Sequence, residues 1–317
     1  MAKPIPAVSA ATARGRAGFM TGQHAIYPVA SPIVKWAGGK TQLLKHYTRL
    51  FPAEFNRYFE PFLGGGAVFF HLVAINPSLR AFLSDSNVEL INCYNMVKNE
   101  LPSVIRHLKK HKNEKEHFYK VRALDVADLT PAERAARLIF LNKTCFNGLY
   151  RVNRKGQFNV PFGKYENPKI CDEVNLRAAE RALCNTKITT ANFEAVVSQA
   201  KKGDFVYLDP PYQPLSTTSS FTGYTRNSFG EEDQVRLANA FRKLTDKGCY
   251  AMLSNSDTPF IRELYDDFNI ETVYANRAIN SKADKRGRVA EVAILNYSAD
   301  ELAGPDGQTF RNINARR

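Results

Sequence analysis

Short apolar runs rich in β-branched and aromatic residues recur along the chain. Between them lie longer stretches in which apolar positions return every three or four residues. The first kind predicts strands: Tyr58–Glu60, Ala81–Ser84, Lys187–Thr190, Phe205–Leu208, Tyr250–Ser254, Glu271–Tyr274 and Val292–Tyr297. The second predicts helices: Gln42–Leu50, a helix opening after the glycines at 64–66, Val88–Lys98, Pro131–Leu141, Glu231–Lys247 and Pro259–Phe268. Thr130 and Glu133 have the spacing of a capping box at the start of Pro131–Leu141. Strands alternating with helices predict an α/β fold built on a mostly parallel, open sheet.

The alternation is interrupted from Asn87 to about Asn185, where the pattern is mainly helical. Leu101–Lys120 carries Arg106, Lys109, Lys110 and Lys112, which suits either a solvated helix face or contact with a polyanion. Near its end, Val152 and Phe158 flank Asn153-Arg154-Lys155-Gly156, the pattern of a β-hairpin with glycine in its turn. We therefore expect a sheet domain over 32–90 and 186–300, with a helical insertion over 91–185. Residues 1–31 hold Lys3, Arg14 and Arg16, and the first carboxylate side chain of the chain is Glu54, so a disordered basic extension is expected there. The Ser/Thr-rich segment between Pro214 and Phe229 suits a lid, Asn276–Arg288 a mobile basic loop, and 301–317 a flexible tail.

Composition narrows the partner. With 44 Lys and Arg against 31 Asp and Glu, the formal charge is +13, which points to nucleic acid or an anionic surface. No run of apolar residues is long enough to span a bilayer, so a membrane partner is not expected. The five cysteines are scattered and form no C-x-x-C pair, which argues against a zinc site or a disulfide frame and for a cytoplasmic protein.

Candidate chemistry gathers at Asp209-Pro210-Pro211-Tyr212, directly after the apolar run Phe205–Leu208. In an open α/β sheet, ligands bind beyond the carboxyl ends of strands. An ionised Asp209 only accepts hydrogen bonds, the Pro210 carbonyl also accepts, and Tyr212 offers a flat π-face. Together they suit a planar ring carrying an exocyclic amine, although a strand end followed by an ordinary Pro-Pro turn has the same sequence. Glu60-Pro61-Phe62-Leu63-Gly64-Gly65-Gly66 reads as strand, glycine turn and helix, open to close approach of a ligand. It lacks the full G-x-G-x-x-G spacing of a nicotinamide fingerprint. Asp85, ending the next strand, stands where a Rossmann-like fold holds ribose hydroxyls, or serves as a helix N-cap. Gly38 and Gly39 either cap the following helix or expose backbone N–H groups to an anion. Basic, amide and aromatic side chains interleave from Asn142 to Tyr165, which suits phosphates and base edges.

Lys35-Trp36-Ala37-Gly38-Gly39-Lys40, the Glu60–Gly66 segment, Asp85 and Asp209-Pro210-Pro211-Tyr212 occur in an order that resembles the alpha group of DNA N6-adenine methyltransferases, the D12 class, over roughly residues 32–300. The hairpin from Asn147 to Tyr165, with Pro214-Leu215-Ser216 and Asn227-Ser228-Phe229, looks like the Dam-type enzymes that methylate adenine in GATC. This resemblance implies a class I methyltransferase sheet with an inserted DNA-recognition domain, acting as a monomer on double-stranded DNA with S-adenosyl-L-methionine and no metal. It implies that Trp36, Ala37, Lys40, Glu60, Pro61, Phe62, Gly64, Gly66 and Asp85 line the cofactor pocket, with Asp209 at its edge. Asp209 and the Pro210 carbonyl would orient the adenine amine, with Pro211 stiffening the loop and Tyr212 stacking on a flipped base. Lys35, Phe146, Asn147, Leu149, Arg151, Pro161, Lys164 and Tyr165 would contact DNA. Phe146 replaces a common tyrosine, Lys164 a common arginine and Gly65 a usual alanine. Two competing readings keep the fold: a non-catalytic sequence-specific DNA-binding protein, and a methyltransferase acting on another amine such as that of RNA adenine, cytosine N4 or a glutamine amide.

Overall fold

Alternate residues of the central strands enter two different apolar clusters, and this period-two split sets the layering. Tyr58, Phe205, Tyr207, Met252 and Leu295 belong to one cluster, while Phe59, Val206, Leu208, Leu253 and Ile294 belong to the other. A sheet buried on both faces follows, with helices on each side. The computed structural model describes residues 19–21, 25–215, 229–276 and 288–298. Its strands are β1 (Phe19–Thr21), β2 (Ala25–Tyr27), β3 (Tyr58–Glu60), β4 (Ala81–Asp85), β5 (Thr186–Thr190), β6 (Phe205–Leu208), β7 (Tyr250–Ser256), β8 (Asn269–Asn276) and β9 (Arg288–Leu295).

Strands β3 to β9 form one seven-stranded sheet in the order β5-β4-β3-β6-β7-β9-β8. Pairs from β5 through β7 are parallel, and β9 runs antiparallel between β7 and β8. The chain winds outward from β3 through β4 to β5, then crosses back to lay β6 on the other side of β3. The crevice between the carboxyl ends of β3 and β6 is therefore the topological switch point, where open α/β sheets bind ligands. Glu60 ends β3, Asp85 ends β4 and Asp209 follows β6, so three carboxyl groups from distant parts of the sequence converge there.

The helices Ala67–Ile75, Val88–Asn99 and Glu173–Leu183 feed one cluster through Val68, Leu90, Val97 and Leu176. Ala195–Gln199, Glu231–Asp246 and Pro259–Leu264 feed the other through Val196, Leu237, Phe241 and Ile261. The inserted helices Leu101–Leu108, Lys115–Ala123 and Pro131–Thr144 add Leu108, Phe118 and Phe140 to the first cluster. The insertion thus shares an apolar core with the sheet. The capping box forms as expected: Glu133 N donates to Thr130 Oγ, and Thr130 N donates to Glu133 Oε2.

Several boundaries depart from the expectation. The predicted helix Gln42–Leu50 is three short turns, Lys40–Gln42, Leu44–Tyr47 and Thr48–Leu50. The last strand, expected over Val292–Tyr297, runs from Arg288 to Leu295. It stops because the Asn296 amide turns in to bond Ala251 N and the Cys249 carbonyl. Within the stretch expected to be a disordered extension, β1 and β2 pair antiparallel, and Ser31 is tied to Asn175 on the helix Glu173–Leu183. Residues 216–228, 277–287 and 299–317, which include most of the expected lid, basic loop and tail, lie outside the described residues, as do residues 1–18.

Candidate active site and nucleic-acid face

Asp209 enters the crevice because β6 is buried along its whole length and the chain must leave the sheet at a residue that tolerates water. Its carboxylate is about one-fifth exposed at 21%. Oδ1 accepts from Ser254 Oγ at 2.7 Å and from Lys40 Nζ at 2.8 Å. Ser254 lies on the neighbouring β7, and Tyr207 on β6 reaches the same hydroxyl at 3.0 Å. The Lys40 ammonium, almost wholly buried, also donates to the Gly38 carbonyl and lies 4.7 Å from the centroid of the Tyr212 ring.

The prolines leave the loop short of N–H donors, and three of its backbone polar atoms are clamped by side chains. Gln234 Nε2 donates to the Pro211 carbonyl, Gln213 N donates to Asn255 Oδ1, and Ser256 Oγ donates to the Gln213 carbonyl. Asn255 and Gln234 bond each other at 3.1 Å, so β7 and the helix Glu231–Asp246 hold the loop together. The Tyr212 hydroxyl donates to Glu291 Oε2 on β9 at 2.6 Å.

On the other side of the switch point, Glu60 is buried and accepts from the Tyr58 hydroxyl at 2.8 Å. Burial, reinforced by the nearby Asp209 charge, lifts its carboxyl to about 8, against the opposing pull of the Tyr58 bond and of Lys40. The glycine turn that follows is shaped by contact. Gly64 has φ +47°, and a Cβ there would come within 2.7 Å of Trp36 Cδ1. Its N–H donates to Asp85 Oδ2 at 3.1 Å, while Asn87 N donates to Oδ1 at 2.9 Å. Burial raises the Asp85 carboxyl, and these backbone donors oppose the rise. The Gly64 carbonyl in turn accepts from the Tyr94 hydroxyl. Phe62 stacks on Phe193 at 5.4 Å, and Phe229 meets both rings.

Residues 35 to 40 join this crevice to the insertion. The Asn142 side chain bonds both the N–H and the carbonyl of Lys35, and Nδ2 also reaches the Gly148 carbonyl. Gly148 has φ +62°, and a Cβ there would overlap Lys35 Cδ at 2.2 Å, so the lysine stem lies flat on that glycine. The Lys35 ammonium stands 4.5 Å over the Tyr165 ring, and Trp36 stacks on Tyr150 at 5.1 Å. One five-residue step thus leads from Tyr165 to Asp209.

The hairpin forms where it was expected, with Val152 bridging Phe158 and Gly156 at φ +81° in its turn. Arg151 is exposed, its Nε donating to Asn159 Oδ1 at 2.7 Å. Phe146 and Asn147 are exposed on an adjoining turn, and Phe146 is a large hydrophobic 51% open to solvent. The Pro161 carbonyl accepts from Phe146 N, and Lys164 is exposed in the left-handed region at φ +54°. Leu149 differs from its neighbours: its side chain is half-buried against the core. Of the residues expected at the crevice, Lys40, Glu60, Gly64, Gly66, Asp85, Asp209 and Tyr212 come together, while Ala37 is exposed and Trp36 packs between the Gly64 turn and Tyr150.

Sequence reading missed Ser254, Asn255, Gln234, Glu291, Asn142 and Phe193. The signal available for the first two was polar residues inside the β-rich run Tyr250–Ser256, which a buried strand carries only with partners. Among the described residues there is no cluster of three metal-ligating side chains, and no helix is long and apolar enough to cross a membrane.

Comparison with known proteins adds a family. Residues 36–279 match the D12 class N6 adenine-specific DNA methyltransferases. The type II methyltransferase M1.LlaDCHI of Lactococcus lactis subsp. cremoris is 46% identical over 274 residues, covering 84% of this chain and 95% of that protein. The type II methyltransferase M.MjaIII of Methanocaldococcus jannaschii is also 46% identical, over 285 residues, covering 84% of this chain and 99% of that protein. The DNA adenine methylase of Haemophilus influenzae is 35% identical over 271 residues, covering 83% and 93%.

Proposed function

The chain belongs to the D12 class of N6 adenine-specific DNA methyltransferases, and from that premise we propose that it methylates adenine within GATC in duplex DNA, on a base turned out of the helix, with S-adenosyl-L-methionine as donor. The observation that carries this reading is the junction at Lys35–Lys40. A hairpin suited to duplex DNA and an acceptor suited to an amine are linked through six consecutive residues, Lys35 packing on Tyr165 and Lys40 on Asp209. The GATC target rests on the likeness of the Asn147–Tyr165 hairpin to Dam-type enzymes.

The donor set fits the cofactor. Glu60 is a buried carboxyl whose ionisation is suppressed in the ligand-free protein, and a cationic amine beside it would restore the charge. Asp85 stands at the strand end suited to a ribose, each oxygen already bonded to a backbone N–H that fixes its direction. Phe62 offers an aromatic face, and the Gly64 and Gly66 turn admits close approach, with Pro61 leading into it. Lys40, Trp36 and Ala37 complete the proposed lining. When bound, S-adenosyl-L-methionine supplies a sulfonium methyl that is already strongly electrophilic, so no covalent enzyme intermediate is required.

The chain's own residues then have to present the amine. Adenine N6 is a poor nucleophile because its lone pair is delocalised into the ring. With Oδ1 engaged by Ser254 and Lys40, Asp209 Oδ2 is the oxygen left to accept one N6 hydrogen, and the Pro210 carbonyl accepts the other. Two acceptors on those hydrogens favour a pyramidal nitrogen and turn its lone pair away from the ring. Methylation leaves the nitrogen with a positive charge that Asp209 stabilises, and its extra proton then passes to water, directly or by way of Asp209 Oδ2. Tyr212 stacks on the base, Phe146 wedges into the gap left in the duplex, and Arg151, Asn147 and Lys35 read base edges. Lys164 and Tyr165 meet the backbone, while Leu149 and Pro161 support the turn beneath Phe146.

In this reading 32–90 and 186–300 form the catalytic domain, 91–185 recognises the target, and a monomer suffices because both sites lie on one chain. The test is transfer of tritiated methyl from S-adenosyl-L-methionine to duplexes containing GATC, one-base variants of it, and a matched RNA. Incorporation confined to GATC is the expected result. Transfer to other adenine sites removes the GATC assignment, and transfer to the RNA alone removes the duplex.

A further inference from the structure

The backbone of the loop that carries Tyr212 is clamped on both sides of that residue, and its phenol bonds a strand far away in sequence. Gln234 bonds the Pro211 carbonyl, Asn255 and Ser256 bond the Gln213 N–H and carbonyl, and Lys40 Nζ lies 4.7 Å from the Tyr212 ring centroid, while none of these reaches its phenol oxygen. Its hydroxyl donates to Glu291 Oε2 at 2.6 Å, across 79 residues of sequence. Glu291 lies within β9 and pairs in register with Ser256 on β7 and Val273 on β8, so its backbone is held from both sides.

We infer that Glu291 is a positioning residue for methyl transfer: by accepting the Tyr212 hydroxyl from a fixed strand, it sets the plane of the ring on which the target base stacks. This rests on the proposed stacking of adenine on Tyr212.

Three features support it. A tyrosine ring needs two points to fix its plane, and the backbone clamps supply only the first. A hydrogen bond to a carboxylate is short and directional, so it supplies the second better than a neutral acceptor would. The chain also keeps the donor protonated. Burial, and then the charges of Asp209 and Glu291, hold Tyr212 well above the ordinary phenol range. Tyr47, wholly buried, is raised by burial and by the Glu291 and Asp209 charges, so the neighbouring phenol is neutral as well. The phenol thus keeps the proton that it donates to Glu291 Oε2.

The experiment is a double-mutant cycle on the full chain, read by methyl transfer, cofactor affinity, 2-aminopurine emission and NMR. Glu291→Met keeps the length of the side chain and removes the acceptor; Glu291→Gln keeps an acceptor oxygen; Tyr212→Phe removes the donor. In single-turnover methylation of a GATC duplex, Glu291→Met should slow transfer on the order of 10-fold, and Glu291→Gln should recover much of it. Cofactor affinity should stay within about twofold, because the residue acts through the ring. With 2-aminopurine at the target position, emission should be brighter in Glu291→Met than in the wild type, as expected of a loosened stack. In a Tyr212→Phe background Glu291→Met should cost much less than it does in the wild type. An equal loss in both backgrounds would overturn the inference. Should Glu291→Met fail to fold, Tyr212→Phe breaks the same bond from the other side and must give the same slowing and brightening. The NMR readout is independent of activity: the Cζ resonance of 13C-labelled Tyr212, identified by its absence in Tyr212→Phe, should move in ligand-free Glu291→Gln. If the wild type transfers methyl to no adenine duplex, the functional reading fails, and an unmoved Cζ resonance separately overturns the Glu291 contact.

Discussion

Replacing Glu60 by glutamine should make the protein more stable in mildly alkaline solution and leave it unchanged in acid. The carboxyl is buried at the end of β3, and burial lifts its pKa from 4.5 to about 8. Below pH 4.5 the folded and unfolded chains both carry this proton. Between 4.5 and about 8 the unfolded chain has lost it and the fold has kept it. The unfolded state then binds fewer protons, so stability falls as pH rises, and the full penalty is present above about 8. At about 1.4 kcal/mol per pH unit the ceiling on this penalty is about 5 kcal/mol. An unfolding entropy of roughly 2.1 cal/mol/K per residue converts that ceiling to a shift of roughly 7 °C in Tm for a chain of 317 residues. Glutamine keeps an oxygen for the Tyr58 hydroxyl and has no charge to suppress. Thermal unfolding of wild type and Glu60→Gln should therefore give midpoints within a degree or two at about pH 5, diverging by several degrees in the variant's favour at about pH 8.5. Parallel profiles across that range would refute the reasoning. Adding S-adenosyl-L-methionine should narrow the gap, because a cation beside Glu60 favours the ionised form that the variant lacks.

Other outcomes follow from the same geometry. Asp209→Ala should abolish turnover while leaving cofactor and DNA binding largely in place, and activity near wild type in that variant would remove the carboxylate from the chemistry. Arg151→Ala should relax base discrimination by ~1–3 kcal/mol at one position of the target, measured as the ratio of kcat/KM on GATC and single-base variants; a uniform loss on all sequences would mean a phosphate contact. Gly148→Ala should cost ~1–3 kcal/mol of stability by thermal unfolding and weaken duplex binding, since φ +62° is strained for alanine and its Cβ meets the Lys35 stem.

Local signals carried much of the architecture. Phe205–Leu208 forms the strand expected of it to the residue, because four consecutive apolar side chains leave no alternative to burial on both faces. The Thr130–Glu133 box and the Gly156 turn formed as read, since each is closed by atoms within a few residues of one another. Asp209 and Asp85 were legible as candidate site residues from strand-end position and carboxylate chemistry, Asp85 with a helix N-cap as its alternative. Glu60 entered only through the family resemblance.

What tertiary structure decided is which of these groups meet, and in what state. No local pattern connects Glu291 to Tyr212, Ser254 to Asp209, or Asn142 to Lys35, because each pair is joined only by the strand order and by the packing of the insertion. The suppressed ionisation of Glu60 is equally a product of the fold, since a carboxyl changes its pKa only when surrounding atoms replace water. Residue types and short spacings follow from covalent neighbours and are written along the chain. Electrostatic state and convergence at the switch point depend on atoms brought from afar, and exist only once the sheet has closed.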